Sequence, residues 1–179
     1  LEKETNPKTF IYNCNAGYID KNSWVQDDYV SGGRLIGECC HFIDLVRFLA
    51  KSKFASFNIV KQENSRLTNN DTFSIHLKFE NGSIAIINYL SNGSKSFQKE
   101  RLEVYSDGNI YQLNNFRNLK IWNKKGLKKI NSFTQEKGNQ ECVKSFVNAI
   151  TRKVSSPIPF EEIIEVQEIL IKLTKELNK

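Results

Sequence analysis

The residues with the most chemistry in this sequence stand together between positions 31 and 49, in SGGRLIGECCHFIDLVRFL. His41 is one of only two histidines, and the carboxylates Glu38 and Asp44 each lie three residues from it. In a helix that spacing places both acids within one turn of the imidazole. A nearby carboxylate favours the charged imidazole and orients the ring, which suits a general acid or base. The other interpretation is a core histidine held by a partner, and spacing alone leaves both open.

Cys39 and Cys40, directly before His41, raise the question of a metal site. Adjacent residues of a helix point about 100° apart, so two thiols and the imidazole cannot converge on one ion. We therefore predict apolar packing for the cysteines and no metal site. The four cysteines, with Cys14 and Cys142, do not have the spacing of a disulfide framework, and reduced thiols in a cytoplasm are expected.

A helix that begins after Gly32 and Gly33 has to position these groups. On a wheel of about 100° per residue, four apolar residues lie within about 100° of His41. They are Phe42, Leu45, Phe48 and Leu49. The spacing thus predicts that the imidazole sits on or beside the apolar face of this helix.

Most of the remaining chain alternates apolar and polar residues, which is typical of strands. Eight stretches show this pattern: TFIYNCNA, FASFNIVK, TFSIHLKF, SIAIINYL, RLEVYS, NIYQL, NLKIWN and LKKINSF. Two helical patterns close the chain, one running from Cys142 to Ile150 and one opening at Pro159. This order predicts a single α+β domain over residues 1–179, with an open, mostly antiparallel β-sheet and helices packed on one face. The opposite face should be more polar and is a candidate oligomer contact.

Composition excludes several classes of protein. The chain has 179 residues, a net charge of +6 and no methionine, which favours a piece of a longer protein. It contains neither G-x-G-x-x-G nor a P-loop sequence, no apolar run long enough for a membrane span and no signal-like start. A cytoplasmic protein without membrane contact is expected. The dispersed lysines make nucleic-acid binding the last of three hypotheses.

The segment SGGRLIGECCHFID, preceded by NAGYIDKNSWVQD, resembles the substrate domain of the glucose-fructose oxidoreductase and inositol dehydrogenase (Gfo/Idh/MocA) family. The resemblance continues through RLEVYSDGNIYQLNNFR and SSPIPFEEIIEV, and it includes the GR-x-x-GE-x-CHF-x-D pattern of bidomain members. It implies an upstream Rossmann domain that binds NAD or NADP and usually supplies a catalytic Lys. It also implies that His41 is the catalytic histidine, and that this chain alone holds no cofactor.

One position departs from the family pattern. Many members have Asp four residues before the histidine, where this chain has Gly37. By resemblance, Glu38 takes the orienting or substrate-binding role and Asp44 holds the tautomer of His41. The resemblance also implies four substrate contacts: Asn15, Tyr18, Trp24 and Arg34.

The sequence therefore predicts the substrate-binding and oligomerising domain of an NAD(P)-dependent oxidoreductase. Its substrate would be a hydroxyl of a sugar, nucleotide sugar or polyol, and the isolated chain would be inactive. Its partners would be its own Rossmann domain and further copies bound through the open sheet face. The alternative is a noncatalytic ligand-binding or assembly domain in which His41 is structural.

Overall fold

The computed structural model describes residues 6–27, 29–63 and 71–177. Eight strands are formed there: β1 (Thr9–Asn15), β2 (Phe54–Lys61), β3 (Phe73–Phe79), β4 (Ile84–Leu90), β5 (Glu100–Ser106), β6 (Asn109–Asn114), β7 (Asn118–Asn123) and β8 (Gly126–Asn131). The helices are α1 (Cys40–Ala50), α2 (Asn139–Arg152) and α3 (Phe160–Leu177). A 3-10 turn (Trp24–Gln26) and a π-helical turn (Leu35–Cys39) precede α1. The eight predicted strands and the two closing helices are confirmed, whereas the helix predicted after Gly33 opens with a π-helical turn and becomes regular only at Cys40.

The strands form one sheet in the order β2-β3-β4-β1-β5-β6-β7-β8. Only the β1–β4 pair among these neighbours is parallel, because β1 inserts between the hairpins on either side of it. The hairpin turn at Asn81-Gly82 forms as its sequence predicts, with Gly82 at φ 86°. The predicted α+β architecture with a mostly antiparallel sheet is confirmed.

The core lies between one face of the sheet and the helices α1 and α3. Tyr12 of β1 stacks on Phe42 of α1 with 4.5 Å between ring centroids, and alternate residues of β3 and β4 complete the buried layer. Arg47 of α1 donates to Glu165 of α3 at 2.8 Å, and the same carboxylate accepts the backbone N–H of Phe54 at 2.8 Å. One glutamate thus joins α1, α3 and the start of β2.

The opposite face of the sheet is the more polar one, as the sequence predicts, but it also carries apolar residues. One row across the strands is polar, and within it Ser74 donates to Asn88, which donates to Asn13. A second row is largely apolar and crosses six strands through paired positions. Its members are Ile84, Thr9, Tyr105, Ile110, Trp122 and Leu127. This face therefore offers an apolar stripe beside a hydrogen-bonded polar one.

Within the described ranges, the three helices are all too short or too polar to cross a membrane.

Candidate active site

The approach to α1 is a π-helical turn rather than a regular helix. In the π-turn Leu35–Cys39 the backbone winds with more residues per turn, so a wheel of 100° per residue misplaces Glu38. Glu38 Oε1 accepts hydrogen bonds from the Tyr89 hydroxyl at 2.8 Å and from Arg34 Nε at 3.3 Å. Its second oxygen lies 3.9 Å from Lys99 Nζ. Glu38 thus contacts Arg34, Tyr89 and Lys99, while His41 faces a different pocket.

Arg34 occupies the centre of a buried network. Its side chain is 1% exposed, and its Nε donates to the Tyr89 hydroxyl at 2.6 Å. Its Nη1 donates to Asp71 Oδ2 at 2.8 Å and to the Gly17 carbonyl at 3.1 Å. The guanidinium also lies 4.8 Å from the centroid of the Tyr89 ring. Arg34 therefore fixes the loop after β1 against the π-turn.

Asp71 is the second acidic partner of Arg34, beside Glu38. Burial on its own would raise the pKa of Asp71, but hydrogen bonds from Ser91, Gln26 and Arg34, together with the Arg34 charge, outweigh burial and lower it. The Ser91 hydroxyl donates at 2.5 Å and Gln26 Nε2 at 3.0 Å. Because Gln26 belongs to the 3-10 turn, Asp71 also anchors the loop that carries the predicted substrate contacts.

His41 is exposed, and it shares a pocket with Phe42, Leu45 and Phe48, three of the apolar residues that the helical wheel places beside it. The buried face of the helix consists of Phe42, Ile43, Val46, Arg47 and Ala50. The imidazole instead borders a pocket of about 430 Å³. The pocket is lined by Tyr12, His41, Phe42, Asp44, Leu45, Phe48, Glu100, Phe116, Lys137 and Asn139.

A second acid of the predicted set, Asp44, lines the same pocket. It is half-buried, and this burial raises its pKa even though His41 and Arg47 act in the opposite direction. Asp44 lies one helical turn after His41 on α1, and both side chains border this pocket. The structure therefore brings His41 and Asp44 together at one pocket.

Three pocket residues that sequence reasoning missed form a hydrogen-bonded chain. Glu100, which is 4% exposed, accepts the Tyr12 hydroxyl at 2.6 Å and Lys137 Nζ at 2.6 Å. Burial, followed by the Glu100 interaction, raises the pKa of Tyr12, so its hydroxyl stays a donor. Lys137 Nζ also lies 5.5 Å from the centroid of the Phe116 ring. The available signal was Glu100 itself, which shares the buried side of β5 with Leu102 and Val104.

The other predicted substrate contacts lie away from this pocket. Asn15 donates to the Ser94 carbonyl at 2.7 Å and lines a separate pocket of about 410 Å³ next to Arg101. Tyr18 and Trp24 are exposed on the loop that follows β1. The predicted residues thus form three groups: His41 with Asp44, Glu38 with Arg34, and the Asn15 side of the sheet with its loop.

The cysteines are free thiols. Burial raises the pKa of Cys14 to about 12 and also raises the pKa of Cys39, so both stay protonated. In the described part of the chain, no group of three or more His, Cys, Asp or Glu residues is placed to hold a metal ion.

Solved structures with the same fold are oxidoreductases by name. An NAD binding oxidoreductase from Klebsiella pneumoniae matches at a TM-score of 0.79 and 15% identity, covering 97% of this chain and 57% of that one. A dehydrogenase (MviM) from Clostridium difficile matches at 0.71 and 20% identity, covering 98% and 55%. UDP-N-acetylglucosamine 3-dehydrogenase GnnA from Acidithiobacillus ferrooxidans matches at 0.75 and 12% identity, covering 96% and 53%.

At these identities the likeness establishes the fold, and this chain spans about half the length of each of these structures. No curated protein matches the sequence at a significant level. The family described as "Oxidoreductase family, C-terminal alpha/beta domain" matches residues 5–176, nearly the whole chain. The chain therefore belongs to the Gfo/Idh/MocA oxidoreductase family, as a C-terminal α/β domain.

Proposed function

We propose that this chain is the substrate-binding half of an NAD(P)-dependent dehydrogenase that oxidises or forms a CH–OH group. The observation that carries the proposal is the position of His41, which is exposed at the border of a pocket of mixed polar and apolar lining, beside Asp44. A histidine held only for packing would be buried, whereas an acid–base group must be reachable by substrate. In an oxidoreductase of this family, the exposed position of His41 suits transfer of a proton to or from the substrate.

His41 accepts the proton of the substrate hydroxyl as the neighbouring C–H bond breaks and the carbon–oxygen double bond forms. A nicotinamide, held mainly by another domain, would supply the acceptor for the hydride. Asp44 stabilises the imidazolium that results, because an opposite charge nearby favours the protonated ring. In the reverse direction, His41 returns the proton to the oxygen.

The residues present fit a cofactor that is held mainly by another domain. This chain has no glycine loop for a pyrophosphate, and its exposed His41 faces outward from α1. The similar protein from Klebsiella pneumoniae is named as NAD binding and is nearly twice as long. We therefore propose an upstream Rossmann domain that binds NAD or NADP, and an isolated chain that is inactive.

The pocket suits a hydroxylated ring such as a sugar, a nucleotide sugar or a polyol. Lys137, whose ammonium is held by Glu100 but whose side chain is 40% exposed, provides a donor for hydroxyl groups, and the Phe116 ring provides an apolar surface for a ring face. One protein with this fold, GnnA, is named for a nucleotide sugar. Glu38 and Arg34 then act as positioning residues, because their polar groups engage each other, Tyr89 and Asp71.

Three further predicted contacts belong to the outer part of such a substrate. Asn15, Tyr18 and Trp24 lie at or after the end of β1, where the exposed aromatic faces can meet a second ring. We also propose a homo-oligomer through the open sheet face, and a cytoplasmic location, which the four free cysteines support.

The test is an assay of the full-length protein against nucleotide sugars, sugars and polyols with NAD and NADP. Replacing His41 by Gln removes the proton acceptor, and we expect kcat to fall about 100-fold or more. His76→Gln is the matched control, because the second histidine lies exposed on β3, and it should retain the parent rate.

Unchanged turnover in His41→Gln would refute the acid–base role. Absence of turnover with every substrate, with a ligand still bound in the pocket, would instead support the noncatalytic binding or assembly domain. The third hypothesis, nucleic-acid binding through the lysine-rich hairpins, would show as DNA or RNA affinity that falls steeply with salt.

A further inference from the structure

The helix α2 has an apolar face that is exposed along its whole length. Large hydrophobic side chains recur three and four residues apart and all point away from the core. These exposed residues are Val143, Phe146, Val147 and Ile150, followed after the helix by Val154. Ala149 is the only buried residue of α2. A face of this kind in a soluble helix marks a surface that another body covers.

The two other helices differ from α2 in this respect. α1 packs on the sheet and on α3, and α3 buries Val166, Ile169, Leu170 and Leu173. Within the described residues, α2 makes no comparable packing with any strand or helix. No element among the described residues therefore covers the apolar face of α2.

The α2 surface adjoins the His41 pocket. Asn139, the first residue of α2, lines that pocket, and so does the exposed Phe48 of α1. Phe48 also lines the next groove, together with Ile158, another exposed apolar residue. A domain bound to α2 would thus lie at the border of the His41 pocket, where the proposed reaction requires the nicotinamide.

We propose that the apolar face of α2 is the docking surface for the nucleotide-binding half of the same protein. The inference rests on the proposed function, which requires a cofactor brought to His41 from outside this chain. The similar solved proteins are nearly twice as long as this chain, so they contain a second body of the size needed. Contact with α2 would hold the nucleotide-binding domain beside the pocket, next to the exposed His41.

The test compares two isoleucines of similar exposure in the full-length protein. Ile150 of α2 is 61% exposed and Ile171 of α3 is 51% exposed in this chain. Ile150→Gln and Phe146→Gln should weaken docking, so amide hydrogen exchange of residues 139–152 should accelerate at least tenfold. Turnover should fall while the affinity for NAD or NADP stays that of the parent. Ile171→Gln should match the parent in exchange and turnover.

Equal exchange in Ile150→Gln, Phe146→Gln and the parent would overturn the inference. Sedimentation would also overturn it if Phe146→Gln dissociated an oligomer, because α2 would then be covered by a second copy. A parent with protected α2 and no turnover would contradict the proposed function and leave the docking surface standing. A parent with full turnover and unprotected α2 would contradict the docking surface alone.

Discussion

Asp44 is a carboxylate whose surroundings favour its neutral form. Burial raises its pKa above the ordinary value, so the folded protein holds this proton more tightly than the unfolded chain does. The stabilisation that the proton provides is complete below the unfolded pKa of about 3.9, and it is lost as pH rises through the folded pKa. At neutral pH, the ionised Asp44 therefore opposes folding.

The first prediction at this scale is that Asp44→Asn raises the free energy of unfolding at pH 7. The gain should shrink as the pH falls toward about 4, where the parent carboxyl is protonated as well. Urea unfolding between pH 4 and pH 7 measures this gain in the free energy of unfolding. Glu168→Gln, which replaces an exposed acid of α3, is the control and should give no gain. If His41 transfers the proton as proposed, the same variant of the full-length protein should also lose turnover, because the imidazolium loses its counter-charge. A variant less stable than the parent at pH 7 would contradict this account.

Arg34 carries the second residue-scale prediction. Its guanidinium is buried against Asp71, Glu38 and Tyr89, so Arg34→Gln leaves the buried Asp71 and the partly buried Glu38 without this cation. We expect the free energy of unfolding to fall by about 3 to 5 kcal/mol. Chemical denaturation measures the loss. Arg117→Gln, an exposed arginine between β6 and β7, should stay within about 0.5 kcal/mol. A loss below about 1 kcal/mol for Arg34→Gln would show that the network is not structural.

His41 and Asp44 could be predicted as a candidate pair because they are close in sequence and chemically distinctive. Glu100 and Lys137 could not, since Glu100 meets its partner Tyr12 across 88 positions and Lys137 across 37. Such contacts depend on the order of strands in space. A charged residue at a buried strand position is the sequence signal that remains.

At the scale of elements, local sequence patterns predicted the eight strands and the two closing helices. Alternation in each strand reflects one buried and one open face, and the hairpin glycines mark the turns. The π-turn Leu35–Cys39 was not predicted, because an extra residue in a turn changes backbone hydrogen bonding without changing residue types. His41 itself lies in the regular helix α1, and it is exposed because Ile43, Val46 and Ala50 form the buried face of that helix.

Glu165 gives the prediction for the packing of elements. Its two oxygens accept from Arg47 Nε and from the Phe54 backbone N–H, each at 2.8 Å. Glu165→Ala removes both bonds, and Glu162 at 3.8 Å compensates Arg47 only in part. We expect a loss of about 2 to 3 kcal/mol in the free energy of unfolding. Glu168→Ala, on an exposed position of the same helix, should be near neutral. If Glu165→Ala and Glu168→Ala were equally stable, Glu165 would not hold α1, α3 and β2 together.

For the whole molecule, the class of fold followed from the order of elements, but the arrangement of the sheet did not. Sequence neighbours pair as hairpins at both ends of the sheet, as short turns require. The central position of β1, parallel to β4 and antiparallel to β5, is a long-range pairing without a local signature. This pairing brings Tyr12 to Glu100 and so builds the floor of the His41 pocket.

The open face of the sheet makes the last prediction, which concerns assembly. Its apolar row runs from Ile84, on β4, to Leu127, on β8, and neither α1 nor α3 packs on this side. In a dimer with two-fold symmetry, the apolar row of one copy packs against the apolar row of the other, because such an interface uses the same surface of both copies. In the full-length protein, Ile84→Glu would place a charge in that contact, and we expect the dimer to weaken at least tenfold in sedimentation. Ile171→Glu, an exposed isoleucine of α3, should sediment like the parent. A parent that is monomeric at micromolar concentration, or an Ile84→Glu variant of unchanged mass, would show that the open face does not assemble the protein.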